Sequence, residues 1–503
     1  MLDKVVLLCL LVHCARTEAD LKNSQYVNDL RDTGRINKAP PQKIAIVGGG
    51  IGGSAASYFA RQLFGNDVTI DLFEPEIICG RVATIQVAGR DYESGGAVIH
   101  GKNMYAKEIA STFGLDEAKE LDLKTAFFDG KDYILETSTW WIVSMLKMIW
   151  TFGLDLLRLN WIETLFLNKF ESVYNVQKNG HSFTTVRDLM VALGNETFVN
   201  AAEETSCSLF TKKGISQFTI DTLVSGGIRG NYGQTCGVNG FVGLVSMAGI
   251  QSNLWSVNGG NKLLCSKLID HSDVTIIKER VKSVSRDGQA FTVASRKGAV
   301  RDYDLVVIAT PINRDKSHID VTAVCSSPSR CPNSVTDPRH YRKTVATFVK
   351  GKLNSALFKC ESFTDCPGGI LTSQNNLFYR SIGFHFPVDF DPAKDTVADG
   401  VYKVFSNESL TEEQLEMLFE TYTEVAEKVW YAYPFYRPPD QLDSFIINND
   451  GVFYTSPIEW AASAIEMSLI SGKNAALMAF NNWFGITENI DSDFGDDETK
   501  AEL

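Results

Sequence analysis

The chain has 503 residues, of which 44% are hydrophobic, and a formal net charge of −13. This length exceeds what one hydrophobic core usually serves, so the sequence predicts two domains of roughly 150 to 250 residues each. Because acidic residues predominate, the composition does not favour binding to nucleic acid or to an acidic membrane surface.

The first 19 residues have the pattern of a cleavable secretory signal. Lys4 precedes an apolar stretch over 5–12, and small and polar residues follow around 17–19. The stretch is too short to span a membrane, and no later segment has the roughly 18 to 20 consecutive apolar residues that a spanning helix needs. We therefore expect entry into the secretory pathway. Residues 20–42 are polar and irregular and are interpreted as a linker.

The segment 43–60 predicts a strand, a glycine-rich turn and a helix of small residues. Gly48, Gly50 and Gly53 are spaced as Gly-x-Gly-x-x-Gly, with Gly52 beside the last of them. This spacing permits a tight turn, lets the backbone approach a phosphate, and lets the helix pack closely on the strand. Free N–H groups of the first helical turn would then face the anion. The pattern predicts a pyrophosphate site.

The strand that follows supports this interpretation. The segment 68–74 is apolar and ends at Glu74, about 20 residues beyond Gly53, where a carboxylate accepts the ribose hydroxyls of a dinucleotide. A carboxylate at this position would repel an additional phosphate on that ribose. The sequence therefore argues against NADP as the bound dinucleotide.

Two later segments return to the same domain. Residues 303–311 contain a short apolar run, typical of a parallel strand buried on both faces. The run ends in Ala309 and Thr310, small residues that would let a cofactor lie over the end of the strand. A helix that begins near 461–463 would direct its positive dipole end at negative charge on that cofactor. One discontinuous, Rossmann-type dinucleotide-binding domain is therefore assigned to 43–115, 250–312 and 440–485.

The rest of the chain predicts a second domain of the α+β class. Residues 116–249 look mainly helical, and residues 313–439 carry strand patterns. This domain would cover the cofactor and form the substrate cavity. Residues 486–503 are interpreted as an acidic tail that is disordered after Asn489.

The segment 140–167 is unusually rich in tryptophan and long aliphatic residues. Three charged residues interrupt it at roughly helical spacing, so it predicts amphipathic helices rather than a membrane span. Helices around a lipid-shaped cavity, helices on a membrane surface and ordinary core packing all remain open. Trp140 and Trp141 are taken as candidate cavity residues.

Cysteines and glycosylation motifs fit a secretory protein. Two close pairs, Cys325 with Cys331 and Cys360 with Cys366, lie in loop-like sequence, where disulfides and free buried thiols are both open interpretations. Asn195 and Asn407 begin N-glycosylation motifs. The chain has no Cys-x-x-Cys motif, and no metal site is predicted.

The inventory of motifs favours an oxidase. The glycine-rich stretch 226–230 lacks a preceding strand, so it does not predict a second nucleotide site. Flavin enzymes that take hydride from NADPH usually need such a second site, whereas those that take hydride from substrate and pass electrons to oxygen need the flavin alone. The sequence also lacks a serine-nucleophile elbow, a His-Glu-x-x-His helix and a Walker loop.

The chain resembles the prenylcysteine oxidase family over nearly its whole length after the signal. The motifs that carry the resemblance are IAIVGGGIGG (44–53), NYGQ (231–234), WSVNGGNKLLCSKL (255–268), YPFYRPP (433–439) and AASAIEMS (461–468). The resemblance implies bound FAD and oxidative cleavage of farnesyl- or geranylgeranyl-cysteine in lysosomes. The implied products are cysteine, a prenyl aldehyde and hydrogen peroxide.

The resemblance also implies roles for individual residues. Gly80-Arg81 matches a pair that places a guanidinium on the FAD pyrophosphate, and Gly95-Gly96 matches a turn that passes close to the cofactor. The cofactor site is completed by Val281, Ala309, Thr310, Ala462 and Ser463, and the substrate cavity by Asn231 and Tyr232.

The sequence departs from the family pattern at Cys79 and, by a small change, at Ser94, where the family tends to have alanine. Cys79 stands where the family has the first glycine of Gly-Gly-Arg, which puts the pyrophosphate contact in doubt. His100 lies near the expected flavin and is interpreted as a structural residue. Because sulfur and the neighbouring alkene stabilise the cation left by hydride loss, the implied reaction needs positioning more than a strong base. No catalytic residue is assigned.

Two alternatives remain open. The same fold would serve a FAD-dependent oxidase of amines or of another lipid thioether. The chain would also suit a secreted family member that binds lipid or lipoprotein without turnover, for which Cys79 is the one hint in the sequence.

Overall fold

A computed structural model describes residues 24–492, apart from 120, 122, 251–252, 328–330, 333–336, 363–364, 397 and 399. The predicted signal over 1–19 lies outside the described residues, as does 493–503 of the predicted tail. The helices are α1 (Ser24–Asp32), α2 (Ile51–Phe64), α3 (Met104–Thr112), α4 (Trp141–Phe152), α5 (Asp155–Phe170), α6 (Ser172–Lys178), α7 (Val186–Gly194), α8 (Glu196–Glu203), α9 (Ser206–Lys212), α10 (Gln217–Thr219), α11 (Ser225–Tyr232), α12 (Gly240–Ala248), α13 (Lys262–Asp270), α14 (Glu412–Leu418) and α15 (Ile465–Phe484).

The strands are β1 (Lys43–Val47), β2 (Thr69–Phe73), β3 (Thr84–Val87), β4 (Arg90–Glu93), β5 (Ile99–His100), β6 (Thr125–Phe128), β7 (Tyr133–Glu136), β8 (Leu254–Trp255), β9 (Val274–Ile277), β10 (Val281–Asp287), β11 (Ala290–Ser295), β12 (Val300–Tyr303), β13 (Leu305–Ile308), β14 (Tyr341–Leu353), β15 (Gly369–Thr372), β16 (Tyr379–His385), β17 (Val401–Ser406), β18 (Phe419–Pro434), β19 (Ile446–Asn448) and β20 (Val452–Tyr454).

The first layer is a six-stranded sheet in the order β19-β20-β13-β1-β2-β9. All its neighbouring strands are parallel except the edge pair β19 and β20. Parallel strands are buried on both faces, and β13 is accordingly apolar at each of its positions. Helix α2 follows β1 and packs against α15, where a side chain on Gly472 would lie 2.5 Å from the Gly52 carbonyl oxygen. These two helices therefore lie in close contact beside the glycine turn.

The second layer is a seven-stranded sheet in the order β18-β14-β17-β16-β15-β6-β7. Its neighbouring strands are antiparallel except for β6 and β15. Helices α4 to α12 form most of the chain between β7 and β8. The sequence predicts this fold class, with a parallel Rossmann-type layer and a separate mixed layer.

Two predictions about the ends of the chain are wrong. The predicted linker contains α1, whose Val27 and Leu30 are buried, because this stretch is amphipathic rather than merely polar. Residues 486–492 of the predicted tail pack on the same region: Ile486 is buried, and the Asn489 side-chain amide donates to the Tyr26 hydroxyl at 3.0 Å.

The last long helix also begins at Ile465, later than predicted, because a 3₁₀ turn over Ser456–Trp460 precedes it.

Disulfides link the described cysteines. The predicted pairs Cys325–Cys331 and Cys360–Cys366 are both present. Two further disulfides, Cys79–Cys265 and Cys207–Cys236, join residues 186 and 29 positions apart. Sequence spacing identifies only partners that are close in the chain, so the long-range pairs were not predicted.

The two glycosylation motifs lie in different surroundings. Asn195 is exposed between α7 and α8, whereas Asn407 is half-buried and accepts hydrogen bonds through Oδ1 from Arg342 and Arg380. Asn195 is therefore the accessible acceptor of the two. No helix within the described ranges is both long and apolar enough to cross a membrane.

Candidate active site

The glycine turn joins β1 to α2 at the edge of the parallel sheet. Gly50 is the N-cap of α2, and no side chain caps the helix there. A Cβ on Gly53 would lie 1.8 Å from the Gly48 carbonyl oxygen, whereas a Cβ on Gly50 would meet no atom within 4 Å. Helix and strand are thus in the closest contact that glycine allows, with open space in front of uncapped N–H groups. This arrangement fits a pyrophosphate.

Glu74 lies directly after β2 and borders the turn. Its Oε2 accepts from the Gly49 N–H at 2.9 Å and its Oε1 from the Glu76 N–H at 2.8 Å. A carboxylate offers about four acceptor sites, so these two bonds orient the group and leave capacity for ribose hydroxyls. The geometry fits the role that the sequence predicts for Glu74.

A cavity of about 600 Å³ begins at this turn and runs between the two layers. Its volume lies within the range of small-molecule and cofactor sites. The predicted site residues that line it are Gly50, Gly52, Arg81, Gly95, Gly96, Asn231, Tyr232, Ala309 and Ser463. His100 also lines it, and its Nδ1 accepts from the Lys102 N–H at 3.1 Å.

Other predicted cofactor residues do not line the cavity. A Cβ on Gly48 would lie 3.1 Å from Ala309 and 3.2 Å from Thr310, and a Cβ on Gly80 would lie 4.0 Å from the Gly50 Cα. Val281 begins β10 and is buried in a separate apolar cluster. Gly48, Gly53, Glu74, Gly80, Val281, Thr310 and Ala462 are not among the lining residues.

The structure contradicts the assignment of Trp140 and Trp141 to the cavity. Their exposed fractions are 75% and 71%, and neither lines the cavity. Phe166 and Leu167 at the end of the same segment line the cavity instead, together with Phe170, which follows the segment in α5. Amphipathic spacing predicts that a helix has an apolar face, but the position of the helix decides what that face meets.

An ion pair between half-buried Arg81 and buried Glu459 forms part of the wall. Arg81 Nη1 and Nη2 donate to Glu459 Oε2 and Oε1 at 2.7 and 2.6 Å, and Nη1 also donates to the Ala432 carbonyl oxygen. Burial lowers the pKa of Arg81, but the charge and hydrogen bonds of Glu459 outweigh it and raise that pKa. The guanidinium predicted to face the pyrophosphate is therefore oriented by Glu459, a residue that sequence reasoning missed.

Three further titratable side chains line the cavity. Burial raises the pKa of Glu466 to about 7, lowers that of Lys403 to about 8 and lowers that of His385 to about 3. Lys403 Nζ donates to the Glu93 carbonyl oxygen at 3.1 Å. The sequence offered a hint for Lys403, because this lysine interrupts the mostly apolar pattern of β17, where it is buried. Within the described ranges, no cluster of His, Cys, Asp and Glu could hold a metal ion.

Cys79 adopts a backbone conformation that usually requires glycine. Its φ is 76°, in the left-handed region, and its N–H donates to the Gly49 carbonyl oxygen at 2.7 Å. Its sulfur is bonded to Cys265 in α13. The turn that carries Arg81 is thus held against the glycine turn and tied to a neighbouring helix.

Comparison with known proteins gives two family matches. A family model described as prenylcysteine lyase matches residues 135–492, and one described as an NAD(P)-binding Rossmann-like domain matches residues 46–113. The chain belongs to the prenylcysteine lyase family. The resemblance carried by its motifs, and the predicted fold class, are both confirmed.

Relatives within the prenylcysteine lyase family match almost end to end. Prenylcysteine oxidase 1 of Bos taurus is 38% identical over 93% of this chain and 94% of that protein. Prenylcysteine oxidase 1-like of Homo sapiens is 35% identical over 92% and 95%. Among solved structures, cyclohexylamine oxidase of Brevibacterium oxydans aligns with a TM-score of 0.58 at 13% identity, covering 88% of this chain and 100% of that one. That structural likeness concerns the fold alone.

The arrangement can hold a dinucleotide and an apolar ligand side by side. One end of the cavity is polar backbone at the N-terminus of α2, and another wall carries the aromatic and aliphatic side chains of α5. One cavity therefore borders both the dinucleotide site and an apolar surface.

Proposed function

We propose that this protein is a FAD-dependent oxidase that cleaves the thioether of a prenyl-L-cysteine, farnesyl or geranylgeranyl, with molecular oxygen as the final electron acceptor. One observation carries the proposal: the cavity bordered by the glycine turn continues to the apolar wall of α5, in a chain whose close relatives are named prenylcysteine oxidases. Thioether, oxygen and water would give cysteine, a prenyl aldehyde and hydrogen peroxide, which balances atoms and electrons.

FAD fits the dinucleotide site by the chemistry of its residues. The uncapped N-terminus of α2 would face the pyrophosphate, and the Glu74 carboxylate would accept from the ribose. When bound, FAD would supply the two-electron acceptor that is reoxidised by oxygen. Arg81, held by Glu459, would add positive charge beside the phosphates.

The chain's own task in this reaction is positioning. The carbon between sulfur and an alkene loses hydride readily, because both neighbours stabilise the resulting positive charge. Phe166, Leu167 and Phe170 would hold the prenyl chain and exclude bulk water from the reacting carbon. A role in positioning agrees with the lining of the cavity, which consists mostly of glycine and apolar side chains.

The exposed face of α4 and α5 supports a peripheral association with lipid. Its large side chains with exposed fractions above 50% are Trp140, Trp141, Leu146, Trp150, Leu154, Leu157 and Trp161. Exposed apolar surface of this extent marks an interaction site, and tryptophan favours the lipid–water interface. The C-terminal part of α5 lines the cavity, so a prenyl ligand dissolved in lipid would enter beside this face.

The proposed location is the secretory pathway, with the lysosome as destination. Four disulfides within the described ranges support folding in an oxidising compartment. Imaging of the full-length protein against a lysosomal marker tests this location, and retention in the cytosol would contradict it.

Product analysis tests the proposed reaction. Purified protein is incubated in air with S-farnesyl-L-cysteine, and cysteine, farnesal and hydrogen peroxide are quantified. Equal amounts of the three products support the proposal. Peroxide from an alkylamine and none from farnesylcysteine would identify an amine oxidase instead, and retention of farnesylcysteine without any product would identify a binding protein.

A further inference from the structure

A small second cavity lies against the main one. Gly230, Asn231, Phe405 and Tyr433 line both cavities, so they form the partition between them. The other side of the small cavity is built by the second sheet and includes Arg342, Thr344, Arg380 and Asn407. It is therefore an annex of the candidate active site with its own polar lining.

The annex contains positive charge that the chain does not neutralise. Arg342 and Arg380 both donate to Asn407 Oδ1, and Arg380 Nη1 also donates to the Asn375 carbonyl oxygen at 3.0 Å. Arg229 lies behind them and donates to Asn375 Oδ1 at 2.7 Å. Among the described residues, none of these three arginines forms a salt bridge with a carboxylate.

The arginines also repel one another. Burial, and then the neighbouring charge of Arg380, lower the pKa of Arg229 to about 10 and lower that of Arg342 as well. Asp221 acts in the opposite direction on Arg229 alone. Like charges held together without a counter-ion are costly, and an anion placed between them would relieve that cost.

Thr344 adds an independent sign of a missing ligand. Its side chain is 5% exposed, and its Oγ1 has no hydrogen-bond partner. A buried hydroxyl without a partner costs about 1–3 kcal/mol. Thr344 lines the annex, where its hydroxyl could donate to a bound oxyanion.

We infer that this annex, whose volume of about 10 Å³ admits about one oxygen atom, is an oxyanion subsite that takes a carboxylate oxygen of a ligand whose apolar part lies in the main cavity. The inference rests on the proposed function when it names that group as the amino-acid carboxylate of prenylcysteine. Guanidinium groups match a carboxylate with two parallel N–H donors, and Thr344 supplies a third kind of donor. The four residues that line both cavities place this subsite directly beside the main cavity, which favours a carboxylate tethered to a ligand there over a free inorganic anion.

Binding of dodecanoate and of dodecan-1-ol, measured by calorimetry, tests the subsite without requiring prenylcysteine chemistry. R342Q and R380Q should each weaken dodecanoate binding by about 10- to 100-fold, the worth of a charge-assisted hydrogen bond, and leave dodecan-1-ol binding within a few-fold. T344V removes a hydroxyl that has no partner, so it should weaken dodecanoate without lowering the melting temperature. R296Q, at an exposed arginine outside the annex, is the matched control and should change neither ligand.

Several outcomes would overturn the inference. Equal loss for acid and alcohol, or no loss for the acid, means that the arginines do not bind the carboxylate. Binding of inorganic phosphate that depends on Arg342 and does not compete with dodecanoate would assign the annex to a free anion. Arginine-dependent dodecanoate binding in a protein that releases no product from farnesylcysteine would instead retain the subsite and refute the proposed function.

Discussion

Replacing Glu466 by glutamine should change how stability depends on pH. Glu466 is 2% exposed, and its carboxylate accepts from the N–H groups of Tyr105 and Ala106 at 2.8 and 3.2 Å. Burial is the largest influence and raises its pKa from 4.5 to about 7. The folded protein therefore holds this proton more tightly than the unfolded chain, and stability falls as the pH rises from 4.5 towards 7.

The size of the effect follows from that interval. At about 1.4 kcal/mol for each pH unit, ionising Glu466 costs the folded state about 3 kcal/mol by pH 8. E466Q cannot ionise, and its single side-chain oxygen can accept from the Tyr105 N–H but its amide nitrogen cannot accept from the Ala106 N–H, so the pH dependence rather than the absolute stability is compared. Relative to E466Q, the wild type should therefore lose about 3 kcal/mol between pH 4 and pH 8, or about 3 °C in melting temperature for a protein of this length.

Thermal unfolding followed by circular dichroism at a series of pH values measures this difference. E416Q, which removes an exposed carboxylate, is the control and should melt in parallel with the wild type. Parallel melting curves for wild type and E466Q would refute the reasoning. So would a wild type that gains stability over E466Q as the pH rises.

Three further predictions concern the turn, a disulfide and the exposed face. G53A should give protein without visible flavin absorbance, because the new Cβ would lie 1.8 Å from the Gly48 carbonyl oxygen. C265S should lower the free energy of unfolding by about 5 kcal/mol in the chain-entropy model, since the bond to Cys79 spans 186 positions; urea titration measures this loss. W150S should reduce co-sedimentation with phosphatidylcholine vesicles several-fold, because Trp150 is 92% exposed.

Matched variants control these predictions. G237A adds a Cβ that would meet only one atom within 4 Å and should keep its flavin. C325S opens a disulfide between residues 6 positions apart and should cost roughly half as much as C265S. V300S removes an exposed apolar side chain from β12, outside the face of α4 and α5, and should leave vesicle binding intact. A control that behaves like its partner variant would contradict the corresponding prediction.

The sequence predicted the features that short-range chemistry determines. The glycine turn, the apolar strand ending at Ala309 and the fold class follow from spacing within a few tens of residues. Cys325–Cys331 and Cys360–Cys366 were recognised as candidate pairs because their partners are close in the chain, and the structure decides between disulfides and free thiols. Features of this kind need no knowledge of how distant segments meet.

Long-range features were missed for the same physical reason. Nothing local to Cys79 indicates Cys265, and nothing local to Arg81 indicates Glu459. The segment 140–167 was predicted to be amphipathic, and Gly153 separates it into two helices that expose their tryptophans. Only the C-terminal end of α5 reaches the cavity. The arginines of the annex come from three separate elements, so only the fold brings them together.

The most direct test of the central claim is anaerobic mixing of the purified protein with S-farnesyl-L-cysteine while the visible flavin absorbance is recorded. We expect the protein to carry bound flavin that loses its colour on mixing and regains it when oxygen is admitted. Well-folded protein that is colourless and stays so after soaking in excess FAD would contradict it, as would bound flavin that farnesylcysteine leaves unchanged.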